Sequence, residues 1–283
     1  MASSPASALQ TAQPAWRPER LPPFPAIALK ALNLIAGRDT SLLELCELIR
    51  SDTAFSTAIL KIANSPLVAF SRNITSVVQA SMLLGFRRLK SVVITVGLKA
   101  YLQGPVTPLL QSCWQHSVAC ALIAERAASE SGMDKDFAYT AGIMHDIGRA
   151  AMVAAGPQSY ARIVAQEADE PRDLLLRERE LFGVDHCEAG ASLVKTWNLP
   201  GAFLEITARH HESGPPAPGT ASIIAPSCRL ADALGFGMEK YRAVHTYPDL
   251  LGAFSESARK RFPPEADAFV AEITSEIRLI ETV

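Results

Sequence analysis

No apolar run in the 283-residue sequence reaches the roughly 18 residues that a bilayer span requires. The most hydrophobic stretch, SVVITVGL (91–98), is too short for one and reads as buried core. The first twenty residues hold no apolar signal-peptide region, so a cytoplasmic chain is expected. The five cysteines, Cys46, Cys113, Cys120, Cys187 and Cys228, include no CxxC pair and are odd in number. Reduced thiols are therefore expected rather than a disulfide framework. Cys113 and Cys120 stand seven apart on one helix face, as small buried hydrophobes. A formal charge of −2 gives no electrostatic case for a nucleic-acid partner or an anionic membrane. The basic run FRRLK (86–90) is short enough to be an ordinary solvated helix face. There is no G-x-S-x-G elbow and no glycine-rich phosphate loop. Trp114, Tyr139 and Trp197 read as core packing.

What is present is a helical pattern. The hydrophobic fraction of 48 % and charged fraction of 20 % suit a globular protein with a substantial core, as one large domain or two small ones. AIALKALNLIAG (26–37) has helical apolar spacing and closes on Gly37. SLLELCELIR (41–50) opens on a Ser41–Glu44 capping box, and Asp52 caps DTAFSTAILKIANS (52–65). Helices follow over 76–86 and 87–102; the second has a β-branched centre but no strand-like run to pair with. QGPVTP (103–108) marks a subdomain boundary. Beyond it, helices are expected near 109–131, 135–155, 158–169, 172–182, 185–197, 200–211, 220–235 and 265–280, with breaks at 212–219 and 262–265. The fold class is all-α. Residues 1–20 are rich in Ala, Ser, Pro and Gln and are expected to be a disordered tail or linker. The units expected are 21–104 and 105–283, with 236–283 as a helical extension.

The chemistry-bearing residues crowd into the second half. IMHDIGRA (143–150) sets His145 beside Asp146 in an apolar run, where both are costly to bury unless satisfied. His116 lies in the apolar helix CWQHSVACALIAERAA, His186 opens DHCEAGASLVKTW, His210 and His211 end AFLEITARHH, and Asp232 sits in APSCRLADALG. Imidazoles and carboxylates converging from several helices can hold a transition metal in a bundle core. Such an ion would lower the pKa of a bound water and direct it at a phosphate ester. Each residue also has a plainer reading. A single histidine on an apolar helix is more often a hydrogen-bonded core residue, a His-His pair can serve the C-terminal helix dipole, and Asp232 can pair with Arg229.

The order H…HD…H…HH…D resembles the ligand set of HD-domain phosphohydrolases, particularly the HD-GYP branch. ILKIANSPLV (59–68), ITSVVQASMLLGFRRLKSVVIT (74–95) and GVDHCEAGASLVKTWNLPGAFLEITARHHE (183–212) resemble the HDOD domain, a relative of those enzymes. The resemblance runs over about 21–235. It implies an N-terminal helical bundle packed on an HD-like C-terminal bundle, in a bacterial signal-transduction module. The partners implied are other signalling proteins or a sensory or receiver module, and a nucleotide ligand. Carried over residue by residue, the implied metal ligands are His116, His145, Asp146, His186, His210, His211 and Asp232. They would hold one or two divalent ions among Fe, Mn, Zn and Ni. Were the site hydrolytic, Asp146 would bridge the metals and Arg149 would grip phosphate. Three departures argue for signalling over hydrolysis. His211-Glu212 runs into SGPPAPG where HD-GYP enzymes carry their Gly-Tyr-Pro loop, Arg149 stands where HD-x-G-K places lysine, and Ser112 stands where trinuclear members place a glutamate.

Overall fold

The computed structural model describes residues 16–17, 25–36, 41–65, 74–102, 107–128, 133–166, 171–212, 219–238 and 245–281. Every regular element among them is helical. None is long and apolar enough to cross a membrane.

Four helices form the N-terminal part: α1 (Ala26–Ala36), α2 (Leu42–Arg50), α3 (Thr53–Ala63) and α4 (Val77–Leu102). The Ser41–Glu44 capping box starts α2, with Ser41 N–H donating to Glu44 Oε2 at 2.9 Å and Glu44 N–H to Ser41 Oγ at 3.2 Å. Asp52 caps α3 by accepting from the N–H groups of Ala54 and Phe55. These caps satisfy amide donors that a helix leaves orphaned at its start. Asn64 then ties the end of α3 to residue 74. Its Nδ2 donates to Ile74 O and its Oδ1 accepts from Ile74 N–H, both at 2.7 Å. The helices expected at 76–86 and 87–102 are numbered together as α4 and meet at a kink, where Gly85 leaves helical geometry (φ +75°, ψ 161°). Its middle is buried against α1, α2 and α3 through Leu89, Val93 and Ile94. The side chains of Phe86, Arg87, Arg88 and Lys90 lie outside the described residues, and the reading of FRRLK with them.

Eleven further helices follow: α5 (Pro108–Ala128), α6 (Lys135–Met144), α7 (Ile147–Ala155), α8 (Pro157–Val164), α9 (Pro171–Phe182), α10 (His186–Thr196), α11 (Gly201–Arg209), α12 (Ala221–Ala231), α13 (Tyr247–Leu251), α14 (Glu256–Arg259) and α15 (Ala266–Glu281). α5 is the hub. It packs on α6, α7 and α12, and its far end receives α15, where Arg126 meets Glu272 at 2.7 Å and stacks over Phe269 at 4.8 Å. α4 reaches across to α6, where Thr95 Oγ1 and Tyr139 OH share a buried hydrogen bond of 3.0 Å. Cys113 and Cys120 are buried on one face of α5, and Trp114 and Tyr139 are buried while Trp197 packs partly buried against the core.

Three expectations need correcting. The helix expected over 135–155 is two helices, because the chain leaves helical geometry at Asp146 (φ −104°, ψ 21°). A continuous helix would point His145 and Asp146 100° apart around its axis; the break lets both face one spot. The helix expected through 220–235 stops as α-helix at Ala231 and continues as a π-helical turn over Asp232–Phe236, ended by Gly235 at φ +89°. Within the expected tail, Trp16 and Arg17 are described, and Trp16 is anchored: its N–H donates to Phe182 O at 3.1 Å and its ring packs on the core. An indole has too much apolar area to leave in water when a core face is in reach. The rest of 1–20, the boundary residues 103–106, Gly37 and the break at 213–218 lie outside the described residues.

Candidate metal centre

Two glycines beside the His-Asp pair allow the site to close. A Cβ at Gly142 would stand 2.4 Å from Ala121 Cα, so α6 crosses α5 at backbone contact and brings His145 against His116. A Cβ at Gly148 would stand 2.0 Å from His186 O and 2.4 Å from Gly190 N, so α7 meets α10 equally closely and brings Asp146 against His186. The start of α10 is fixed in turn by a capping box between Asp185 and Glu188, which puts His186 at the first helical position. Arg179 pairs with Asp185 at 2.5 Å behind it.

Around Asp146 five of the six expected partners, His116, His145, His186, His210 and His211, assemble from four segments. Asp146 Oδ1 lies 3.4 Å from His186 Nε2 and 3.3 Å from His210 Nε2, and those two nitrogens are 3.3 Å apart. Asp146 Oδ2 lies 3.8 Å from His116 Nε2 and 4.0 Å from His145 Nε2, themselves 3.3 Å apart. The site thus has two neighbouring groups, Asp146 with His186, His210 and His211, and His116 with His145 and Cys228, with Asp146 Oδ2 turned toward the second. Cys228 is the addition that sequence reading missed. Its Sγ is 3.5 Å from His116 Nε2. Asp232 approaches His116 from the opposite side, with Oδ1 3.2 Å from Nδ1, so here it orients the ring and does not face the shared spot. The four-residue spacing from Cys228 to Asp232 on α12 was the available signal that both could reach one neighbour.

The tautomers follow from the partners. His145 Nδ1 lies 2.6 Å from Gly142 O, and His210 Nδ1 lies 3.1 Å from Thr207 O. Carbonyls only accept, so each Nδ1 carries the proton and each Nε2 is a lone pair. His186 Nδ1 donates to Glu178 Oε2 at 2.7 Å, and Glu178 Oε2 also accepts the His186 N–H at 2.8 Å. Tyr160 OH donates to the other oxygen of Glu178 in a short hydrogen bond. Glu178 and Tyr160 were not singled out in the sequence, because a carboxylate eight residues before a histidine has no recognisable helix periodicity. A carboxylate that holds a histidine's second nitrogen is the usual support of a metal-bound imidazole.

Facing lone pairs at 3.3 Å repel unless a cation lies among them. Arg149 supplies part of that charge: its Nε is 3.1 Å from Asp146 Oδ2, and one terminal nitrogen is 3.5 Å from both His186 Nε2 and His211 Nε2. Burial pushes the Asp146 carboxyl up, but Arg149 and the imidazoles of His186 and His145 outweigh it and hold it well below the usual range. Burial lowers His116 to about 4 and pushes His145 and His211 well down as well. Burial also opposes charge on His186 and His210, yet Glu178 raises the first, and Cys187 with Asp146 raises the second, above the ordinary imidazole value. Both oxygens of Asp146 and Nδ1 of His116 are buried without a hydrogen bond of good geometry. The neutral imidazoles of His116, His145 and His211, a buried carboxylate with unused acceptor capacity and a supporting Glu–His pair fit a divalent transition ion, which would displace the protons that His186 and His210 hold without it.

The site is closed. His116, His145, Asp146, Arg149, Glu178 and His186 are at most 1 % exposed and His210 is 5 % exposed. His211 reaches a cavity of about 300 Å³, lined also by Leu175, Arg179, Cys187, Glu188 and Glu212.

The HDOD domain model matches residues 21–213, and the chain belongs to the HDOD domain family. Its fold is similar to that of an HDOD domain protein of Geobacter sulfurreducens, with a TM-score of 0.70, 24 % identity, and 93 % of this chain and 91 % of that one covered. A protein of Shewanella amazonensis SB2B described as a candidate phosphohydrolase gives a TM-score of 0.66 at 21 % identity, covering 93 % of this chain and 95 % of that one. By sequence, the chain is 26 % identical over 204 residues to an uncharacterised protein of Treponema pallidum, covering 71 % of this chain and 39 % of the relative. It is 26 % identical over 172 residues to a ribonuclease Y of Thermus thermophilus, covering 60 % of this chain and 24 % of the relative. The chain thus spans well under half the length of the curated relatives it matches.

Proposed function

We propose that the chain is a bacterial signal-transduction module that acts through contacts with a signalling partner or a small ligand, around a retained divalent-metal cage. The observation that carries this reading is the closure of an otherwise complete ligand set. A catalytic metal site keeps an open position for water or substrate. Here Arg149 takes the space between Asp146, His186 and His211, and among the described residues the other cage side chains are buried while His211 lines a cavity. A metal held this way would supply fixed charge and cross-link five segments, α5, the His145–Asp146 break, α10, the α11 terminus and α12. Its occupancy would couple to the packing of the whole C-terminal bundle. The 300 Å³ cavity at His211 is large enough for a small ligand to reach the edge of the cage.

A second reading, metal-dependent phosphohydrolysis, draws support from the two neighbouring ligand groups, with Asp146 of the first turned toward the second, the arrangement of two-metal hydrolases. One experiment separates the two. Protein never exposed to chelator is assayed for metal content, then for hydrolysis of phosphomonoesters and cyclic dinucleotides with Mn²⁺ or Fe²⁺ added, beside Asp146→Ala. Bound metal without Asp146-dependent turnover is the expected result. Turnover lost in Asp146→Ala would make the protein an enzyme, and protein that takes up no metal would remove the cage.

A further inference from the structure

One half of the cage differs in kind from the other. Asp146, His186, His210 and His211 offer only nitrogen and oxygen, whereas His116 and His145 are joined by sulfur. Cys228 is buried on α12 and turns its Sγ to the lone-pair nitrogen of His116 at 3.5 Å. A tetrahedral ion bonded at about 2.3 Å to sulfur and about 2.0–2.1 Å to nitrogen needs ligand separations of about 3.5 Å for S···N and about 3.3–3.4 Å for N···N. The separations present are 3.5 Å from Cys228 Sγ to His116 Nε2 and 3.3 Å from His116 Nε2 to His145 Nε2. The fourth donor is the nearby Asp146 Oδ2, fully buried and ion-paired to Arg149 Nε at 3.1 Å; it stands 3.8 Å from His116 Nε2 and 4.0 Å from His145 Nε2, so an ion has to draw it in by about half an ångström to complete a tetrahedron.

We propose that His116, His145 and Cys228, with Asp146 Oδ2 as fourth donor, form a thiolate-containing site for a thiophilic divalent cation of the Zn²⁺ class. The proposal rests on the metal reading above and adds to it the identity of the ion and of the sulfur ligand. Soft thiolate favours Zn²⁺ over Mn²⁺ or Mg²⁺, which prefer all-oxygen or oxygen–nitrogen sets. The other half, lacking sulfur and facing the Arg149 guanidinium, does not share this selectivity. The thiol must ionise to bind. Each ion taken up releases the Cys228 proton to solvent and forms one metal–sulfur bond, with no change of oxidation state. Burial, with Asp232, Cys120 and Asp146 nearby, keeps the thiol protonated when no cation is bound. A coordinating ion reverses that preference.

The test uses Co²⁺ as a spectroscopic stand-in for Zn²⁺, added to the full chain. Wild-type protein should show a sulfur-to-cobalt charge-transfer band that saturates at one equivalent and is bleached by Zn²⁺. Cys228→Ser should lose that band while its far-UV circular dichroism is unchanged. Cys187→Ser, which removes the thiol 3.9 Å from His210 Nδ1, should keep it. X-ray absorption on Zn²⁺-loaded wild type, which needs no variant, should find one sulfur among the four donors. Co²⁺ uptake with no charge-transfer band, a band that follows Cys187, or a nitrogen–oxygen-only zinc shell would overturn the proposal and leave a metal cage standing. No uptake of either ion would overturn both.

Discussion

Gly148→Ala should unfold the site from its tightest point. In an open helix, replacing glycine with alanine stabilises by about 1 kcal/mol, because alanine loses less backbone entropy. Gly148 is inside α7 but faces backbone on α10. The new methyl carbon would lie 2.0 Å from His186 O, 2.4 Å from Gly190 N and 2.9 Å from Gly190 Cα. All three are main-chain atoms, so no rotamer change relieves them. An ordinary contact of 3.4 Å to His186 O requires α7 and α10 to part by about 1.4 Å. Overpacking of this kind costs about 1–3 kcal/mol and more where the neighbours cannot give. Set against the helix gain, the net loss should be about 2 kcal/mol or more. The same displacement pulls Asp146 from His186, now 3.4 Å apart, so metal affinity should fall with it. Urea unfolding followed by circular dichroism reads the first effect, and competition with a chromophoric chelator reads the second. Gly201→Ala is the control, since its Cβ would meet nothing within 4 Å. A Gly148→Ala midpoint equal to or above wild type would refute the backbone-contact argument.

Three further outcomes follow from the same geometry. Glu178→Gln removes the charged acceptor that fixes the His186 ring, and metal affinity should drop about 10–100-fold; an unchanged value in chelator competition would show that His186 needs no such support. Metal-free protein should lose stability as pH falls from about 6.5 towards 4, because His116 must stay neutral when folded and titrates near 4 there. That one residue accounts for about 3 kcal/mol, fully present above 6.5 and lost across the window. His145 and His211 act in the same direction, while His186 and His210, whose values are raised, add stability that fades only at higher pH. A melting temperature flat between pH 6.5 and 4 would contradict this. Finally, Zn²⁺ at about one hundred times its dissociation constant should stabilise the fold by about 2.7 kcal/mol. Asp146→Ala should abolish that gain, and a thermal shift that persists in the variant would place the ion elsewhere.

Much of the molecule was legible because helices announce themselves locally. Ser41 with Glu44 and Asp52 ahead of its apolar run carry their caps in the sequence, and α2 and α3 begin there. The order of histidines along 116–211, with His145 and Asp146 adjacent, nominated the cage, and the phrases at 59–68, 74–95 and 183–212 nominated the family. Ahead of Gly148, His145 and Asp146 could stand late in a helix or at a kink, and the tertiary structure decides for the kink, with the chain leaving helical geometry at Asp146. Nor could the sequence separate Cys228 from Asp232. Both lie on α12, one turn apart, and which of them faces the lone pair of His116 is decided by how α12 packs on α5. Glu178, Tyr160 and the inward reach of Arg149 are likewise long-range facts. Local sequence sets where helices start and which faces are apolar; which nitrogen, sulfur or oxygen meets which neighbour depends on interhelical distances of a few ångströms, and those exist only once the bundle has closed.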